Sequence, residues 1–251
     1  MSIAENVTYI RERIEAAARR AGRDPSAVTL MAVSKTFSAE AIREAYAAGI
    51  RVFGENRVQE FAGKADALRD LAGAEWHLIG HLQSNKAGRA AELFAAVDSL
   101  DSVKLADKLD TVVGDAASRV STEERVSPEK RVPLPVLIEI NVGGEAAKSG
   151  LAPDAEELEL ILTRAPLWEN LTIRGLMTVP PYTGDPEGAR PYFRQLRQVR
   201  DRIAARGLPR IAMDVLSMGM SHDFEVAIEE GSTCVRVGTA IFGERQKTLQ
   251  K

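Results

Sequence analysis

Thr29-Leu30-Met31-Ala32-Val33-Ser34-Lys35 is an apolar, β-rich run closed by a lysine, and Ser38-Ala39-Glu40-Ala41-Ile42-Arg43 just beyond it reads as the start of a helix. A strand followed at once by a helix is the unit of a parallel sheet covered by helices. Short β-rich runs recur along the chain, each read as followed by a charged, Ala/Leu-rich stretch of helical period. The candidate strands are Thr29 to Lys35, Arg51 to Glu55, Trp76 to Gly80, Ala96 to Leu100, Pro135 to Val142, Thr172 to Val179, Met213 to Met218 and Thr233 to Val237. That count and a length of 251 residues fit an α/β chain folded as a (β/α)8 TIM-type barrel. A doubly wound open sheet has the same local pattern, because alternation alone does not close a barrel.

Before the first strand, Ile3, Val7, Ile10 and Ile14 form one apolar helical stripe, and Ser2 and Glu5 have the spacing of a capping box. An extra N-terminal helix is therefore expected. Gly49, Gly207 and Gly231 each follow a helical stretch and suit a left-handed stop. From Ser118 to Pro135 the rhythm breaks into a polar, Pro-bounded run, which reads as an exposed, mobile loop. Residues 1–251 are expected to form a single domain.

Composition narrows the function classes. Hydrophobic content of 45%, charged content of 27% and a net charge of -3 are ordinary globular values and give no reason to expect a nucleic-acid partner. Cys234 is the only cysteine, so no intrachain disulfide can form. No apolar stretch approaches the roughly 20 residues needed to cross a bilayer. A cytoplasmic protein without a membrane segment is expected.

Lys35 places an amine at the carboxyl end of a buried strand, where barrels of this kind build their sites. An isolated lysine there ordinarily reaches for solvent. Desolvated instead, it would need a partner or lose its charge, and its natural chemistry is imine formation with a carbonyl. A second constellation leaves the last two strands: Leu216-Ser217-Met218-Gly219-Met220-Ser221 and Val235-Arg236-Val237-Gly238-Thr239-Ala240. The corresponding turns of such barrels commonly bind phosphate. Gly219 and Gly238 would let backbone N–H groups approach phosphate oxygens, and Ser217 and Thr239 would add hydroxyl donors. Each glycine by itself is equally an ordinary turn.

Strand alternation puts Cys234, Arg236 and Gly238 on one face and Val235 and Val237 on the other, so with the two valines packed against outer helices Arg236 is expected to face the barrel mouth. A guanidinium there needs an acceptor. Glu55 or Asp214 would serve, and so would an atom of a bound ligand. Asn56, His81 and Asn85 lie in polar turns where capping and function are equally good readings. His77 and His81 do not share a helical face, and their segment lacks the glutamate of a zinc hydrolase motif, so no metal site is predicted. Lys148 reads as a solvated turn lysine, and Met177 as core filler.

Taken together, Ala32-Val33-Ser34-Lys35-Thr36, Phe53-Gly54-Glu55-Asn56, the run from Trp76 to Lys86, Arg174-Gly175-Leu176-Met177-Thr178, and the two C-terminal turns continuing through Ile241-Phe242-Gly243 resemble the pyridoxal phosphate homeostasis protein family, small relatives of the alanine racemase barrel. The resemblance implies that Lys35 holds pyridoxal 5′-phosphate (PLP) as an internal aldimine and that the phosphate rests on the turns at Ser217, Gly219 and Gly238-Thr239. It further implies that Arg236 faces the pyridine nitrogen and that Asn56 lies against the ring. An arginine there disfavours protonating the nitrogen, so carbanion chemistry is muted. A non-enzymatic, monomeric PLP carrier that buffers the cofactor or delivers it to apo PLP-dependent enzymes is the implied function. The polar stretch from Ser121 to Arg131 is longer than the family usually carries, and His222 is a local departure.

Two alternatives compete. A PLP-dependent racemase would need an acid/base residue opposite Lys35, and none of the tyrosines is well placed from sequence: Tyr46 lies in a helix pattern, and Tyr182 and Tyr192 lie beyond the sixth strand. The related racemases supply that tyrosine from a second domain, for which this chain leaves no room after its last strand. A cofactor-free Schiff-base aldolase would use Lys35 on a sugar carbonyl but would leave Arg236 unexplained.

Overall fold

The computed structural model describes residues 1–120, 132–145 and 147–243. Its strands are β1 Thr29–Val33, β2 Val52–Glu55, β3 Glu75–Leu78, β4 Ala96–Leu100, β5 Leu134–Glu139, β6 Leu171–Met177, β7 Ile211–Met220 and β8 Cys234–Val237. Each pairs in parallel with the next, and β8 pairs with β1, so the sheet closes into a barrel and the open-sheet alternative falls. The helices are α1 Ile3–Arg20, α2 Ala39–Ala47, α3 Val58–Ala62, α4 Ala87–Leu93, α5 Val103–Val120, α6 Glu156–Arg164, α7 Arg190–Ala204, α8 Phe224–Glu229 and α9 Thr239–Phe242. Of the loop expected at 118–135, residues 121–131 lie outside the described residues.

The local punctuation acts as its chemistry dictates. The Ser2 hydroxyl accepts from the Glu5 amide at 3.2 Å while Glu5 Oε2 accepts from the Ser2 amide at 2.7 Å, closing the capping box of α1. Gly49, Gly207 and Gly231 have φ of +89°, +58° and +103°, the left-handed stops expected of them. The apolar stripe of α1 is buried, and Arg13 and Arg20 pair with Glu225 of α8 at 2.6 and 2.9 Å. The extra helix thus closes the outer ring between α2 and α8.

The core has two layers. Between barrel and helices, Phe53, Val97, Ile138, Val235 and Val237 are buried with the helix faces, and Trp76 stacks on Phe53 with ring centroids 4.8 Å apart and meets Phe61 in a tilted contact at 4.7 Å. Inside the barrel, Met31, Asp98, Cys234 and Arg236 are buried. The interior is therefore partly polar, and the site depends on how that polarity is satisfied. β6 and β7 approach so closely that a Cβ on Gly175 would lie 1.8 Å from the Val215 carbonyl oxygen.

Strand ends differ from the sequence expectation where it matters. β1 stops at Val33, so Lys35 sits in the β1–α2 connection rather than in the strand. β7 runs on to Met220, its pairing with β8 shifting register between Ser217 and Met220. An irregularity of that kind carries no hydrophobic signal, because the residues on both sides stay buried.

Candidate functional site

The carboxyl ends of the strands open into a cavity of about 410 Å³. Lys35 and Phe37 from the β1–α2 connection, Asn56 after β2, Arg236 in β8, and Gly238 and Thr239 just beyond it all line its wall. Five of the seven residues expected at a site therefore meet in one place.

The other two do not reach the wall. Ser217 and Gly219 lie within β7, not in the turn after it, and the cavity is lined instead by Met220 at the end of β7 and by Ser221 in the turn. Ser217 is fully buried, and its hydroxyl accepts from Arg236 Nη1 at 2.6 Å, so it stands behind the guanidinium. Gly219 has φ +91°, and a Cβ there would lie 2.5 Å from the Ala227 Cβ and 2.9 Å from the Phe224 Cα. Its openness serves the packing of α8. The Ser221 hydroxyl accepts from the Ala240 amide at 3.4 Å, tying the β7 turn to the β8 turn at the rim.

Arg236 is 3% exposed. Its direct partners are neither Glu55 nor Asp214: Nη1 donates to the Ser217 carbonyl at 2.7 Å and Nη2 to the Thr178 carbonyl at 2.6 Å. Asp214 pairs with Arg174 instead. Burial lowers the Arg236 pKa, opposed by the carboxylates of Asp98, Glu139 and Asp223. A guanidinium keeps its proton under such pressure.

Lys35 is half-buried, and the connection that carries it is held from below. Glu55, fully buried at the end of β2, accepts the Ser34 hydroxyl at 2.5 Å and lies 2.9 Å from Lys64 Nζ. Burial raises the Glu55 pKa, and Lys64 and the Ser34 hydroxyl oppose the rise. Asn56 is pressed against the segment that follows β3: a Cβ on Gly80 would lie 2.4 Å from the Asn56 carbonyl oxygen.

Two residues had other readings in the sequence, and a third, Glu139, had none. Tyr182, 80% exposed, lines the cavity together with His222, whose ring lies 5.4 Å away. It follows β6 by five residues, and only the path of the β6–α7 connection brings it over the mouth. Lys148 is not a solvated lysine: it pairs with Glu145 and donates to the Pro180 carbonyl at 3.1 Å. Glu139, 8% exposed at the end of β5, has an Oε2 without a hydrogen-bond partner, and its pKa is pushed up to about 7 by burial and by Asp101, against Arg236 and His81. A buried acid at a strand end was legible in principle as a polar break in Val136-Leu137-Ile138-Glu139-Ile140.

His77 and His81 point to different places. His77 Nδ1 lies 3.2 Å from Asp98 in a separate cavity at the amino-terminal end of the barrel, while His81 Nδ1 lies 2.9 Å from Asp101. Among the described residues no cluster of three or more His, Cys, Asp or Glu is arranged to hold a metal, and no helix is long and apolar enough to cross a membrane. The mouth cavity joins an amine, a permanent cation and the hydroxyl-bearing rim residues Ser221 and Thr239. That donor set suits a small carbonyl compound bearing an anionic group.

Comparison with known proteins is consistent with this chemistry. Residues 6–246 match the profile of the alanine racemase N-terminal domain. A pyridoxal phosphate homeostasis protein of Aquifex aeolicus is 44% identical over 246 residues, covering 98% of this chain and all of the relative. The structure of PipY from Synechococcus elongatus with PLP bound superposes with a TM-score of 0.79 at 36% identity, over 96% of this chain and all of PipY. An alanine racemase of Clostridium difficile shares the fold at a TM-score of 0.67 and 13% identity, with 58% of its length covered.

Proposed function

The chain belongs to the pyridoxal phosphate homeostasis proteins of the alanine racemase N-terminal domain family, and on that premise we propose that it binds PLP at the barrel mouth as a carrier rather than as a catalyst. The observation that carries the reading is the meeting of Lys35, Arg236 and the Ser221 and Gly238-Thr239 turns around one cavity. Lys35 is the amine assigned to hold the aldehyde. Gly238, Thr239 and Ser221 are assigned to the phosphate, replacing the Ser217 and Gly219 of the sequence reading. Arg236 is assigned to the pyridine nitrogen and Asn56 to the ring face. When bound, PLP supplies an aldehyde carbon that takes up an amine reversibly.

The chain's own residues favour holding over turnover. Arg236 keeps its proton and is locked by three acceptors, so it offers a hydrogen bond to the ring nitrogen and no proton. A ring that stays unprotonated is a weak electron sink. The proposed role is to buffer the cofactor or pass it to apo PLP-dependent enzymes, with the chain acting as one cytoplasmic, monomeric unit. Transfer from loaded protein to an apo-enzyme in the presence of an aldehyde scavenger tests delivery. Transfer that survives the scavenger is expected, and its complete loss means release into solution.

A racemase-like activity is the second reading, favoured by the Tyr182 phenol on the cavity wall. Solvent exchange of an amino acid's α-hydrogen on the loaded protein separates the two. Exchange far below enzyme rates is expected; rapid exchange would establish catalysis. The cofactor-free aldolase loses support from PipY, whose structure holds PLP.

A further inference from the structure

Lys35 rides on a turn that a second lysine holds. Within the connection from Ser34 to Phe37, Thr36 has φ +68°, a value a β-branched residue adopts only where its surroundings impose it. Lys64, just after α3 and with a side chain 13% exposed, sits beneath this turn. Its Nζ donates to the Ser34 carbonyl at 3.1 Å and to the Phe37 carbonyl at 3.3 Å, and lies 2.9 Å from Glu55 Oε1. Glu60 of α3 accepts the Thr36 amide, and Glu55 accepts the Ser34 hydroxyl at 2.5 Å. The residues flanking Lys35 are therefore fixed at two carbonyls, one amide and one hydroxyl, by a single ammonium and two carboxylates.

Only an ammonium supplies three donors from one point, as two carbonyls and a carboxylate in this arrangement require. Because Glu55 is fully buried, that ammonium cannot swing to solvent without leaving a carboxylate unpaired. We infer that Lys64 and Glu55 are positioning residues whose ion pair braces the Ser34–Phe37 turn and so sets how readily Lys35 reacts with an aldehyde. The step they assist is addition of the unprotonated Lys35 Nζ to the aldehyde carbon, with loss of water as the carbon–nitrogen double bond forms. Lys64, committed to three oxygens, is an anchor and not a second nucleophile. The inference rests on the assignment of Lys35 made above.

The test uses two ligands. PLP reports the reaction at Lys35, whereas 4-deoxypyridoxine 5′-phosphate, which has a methyl group in place of the aldehyde, reports the rest of the site. In the Lys64→Gln/Glu55→Gln double variant, which leaves no lone buried charge, the rate of adduct formation is expected to fall about tenfold or more, as misplacement of a reacting group does. Affinity for the deoxy analogue should stay within about twofold, since that ligand needs no aim from Lys35. Glu60→Ala, which removes the Thr36 anchor together with a carboxylate oxygen 4.0 Å from Lys64 Nζ while leaving the Lys64–Glu55 pair in place, should show the same split at about threefold and decides the matter if the double variant does not fold. Wild-type rates in folded variants, or equal losses for both ligands, would overturn the brace. Failure of wild-type protein to label at Lys35 after borohydride would instead overturn the functional reading beneath it.

Discussion

Arg236 Nη2 donates to the Thr178 carbonyl oxygen at 2.6 Å, linking β8 to the residue that follows β6 across the barrel interior. With Nη1 on the carbonyl and hydroxyl of Ser217, the guanidinium is held by neutral acceptors, while Asp98, Glu139 and Asp223 act on it through space. The cation is therefore not quenched by a contacting carboxylate. Its charge is directed to the cavity that it lines.

Replacing that guanidinium leaves buried acceptors without donors. Arg236→Met is expected to destabilise the protein by about 2–4 kcal/mol in urea unfolding. It should also weaken binding of the deoxy analogue at least tenfold, as expected for loss of about 1.4 kcal/mol or more. A variant as stable as wild type and binding as well would show that Arg236 is not the organising cation.

Glu139 makes stability depend on pH. Its pKa is raised from 4.5 to about 7 in the fold. Between those values the folded chain keeps a proton that the unfolded chain has released, so stability falls as pH rises through that window and levels above it. Glu139→Gln should remove the slope, so that the variant gains on wild type across the window by at most about 3 kcal/mol. Parallel stability curves from pH 4 to 8 would refute the assignment.

Gly80 and Gly88 make a matched pair. A Cβ on Gly80 meets the Asn56 backbone within 2.4 Å, whereas one on Gly88, inside α4, meets nothing within 4 Å. Gly80→Ala should cost about 1–3 kcal/mol and weaken analogue binding by displacing Asn56. Gly88→Ala should raise stability by about 0.5–1 kcal/mol and leave binding alone. Thermal unfolding and titration of both variants check the pair, and Gly80→Ala matching Gly88→Ala would show that Asn56 is not held by this contact.

Tyr182 separates carrier from catalyst. Tyr182→Phe is expected to leave the rate of adduct formation and the residual α-hydrogen exchange unchanged. A fall in exchange of about a hundredfold, the size of a lost general acid or base, would make Tyr182 catalytic.

How far the sequence could be read follows from which forces leave a pattern. The alternation that begins at Thr29, the left-handed stops at Gly49, Gly207 and Gly231, and the inward side of β8 are periodic or conformational, and each was legible. Ser217 and Gly219 lie off the cavity wall because β7 continues past Met218 to Met220 through a register shift, which moves the turn to Ser221. Tyr182 and Lys64 were invisible for a different reason. Each reaches the site through the path of a loop or the length of a flexible side chain, and neither leaves a spacing in the sequence. Lys148 looked solvated because its acceptor, the Pro180 carbonyl, lies 32 residues away.

Borohydride reduction of PLP-loaded protein, followed by peptide mapping, tests the central claim most directly. The account predicts one stably labelled peptide containing Lys35, and loss of both label and visible absorbance in Lys35→Ala while the deoxy analogue still binds. Label on another lysine in wild-type protein, or undiminished absorbance in Lys35→Ala, would contradict it.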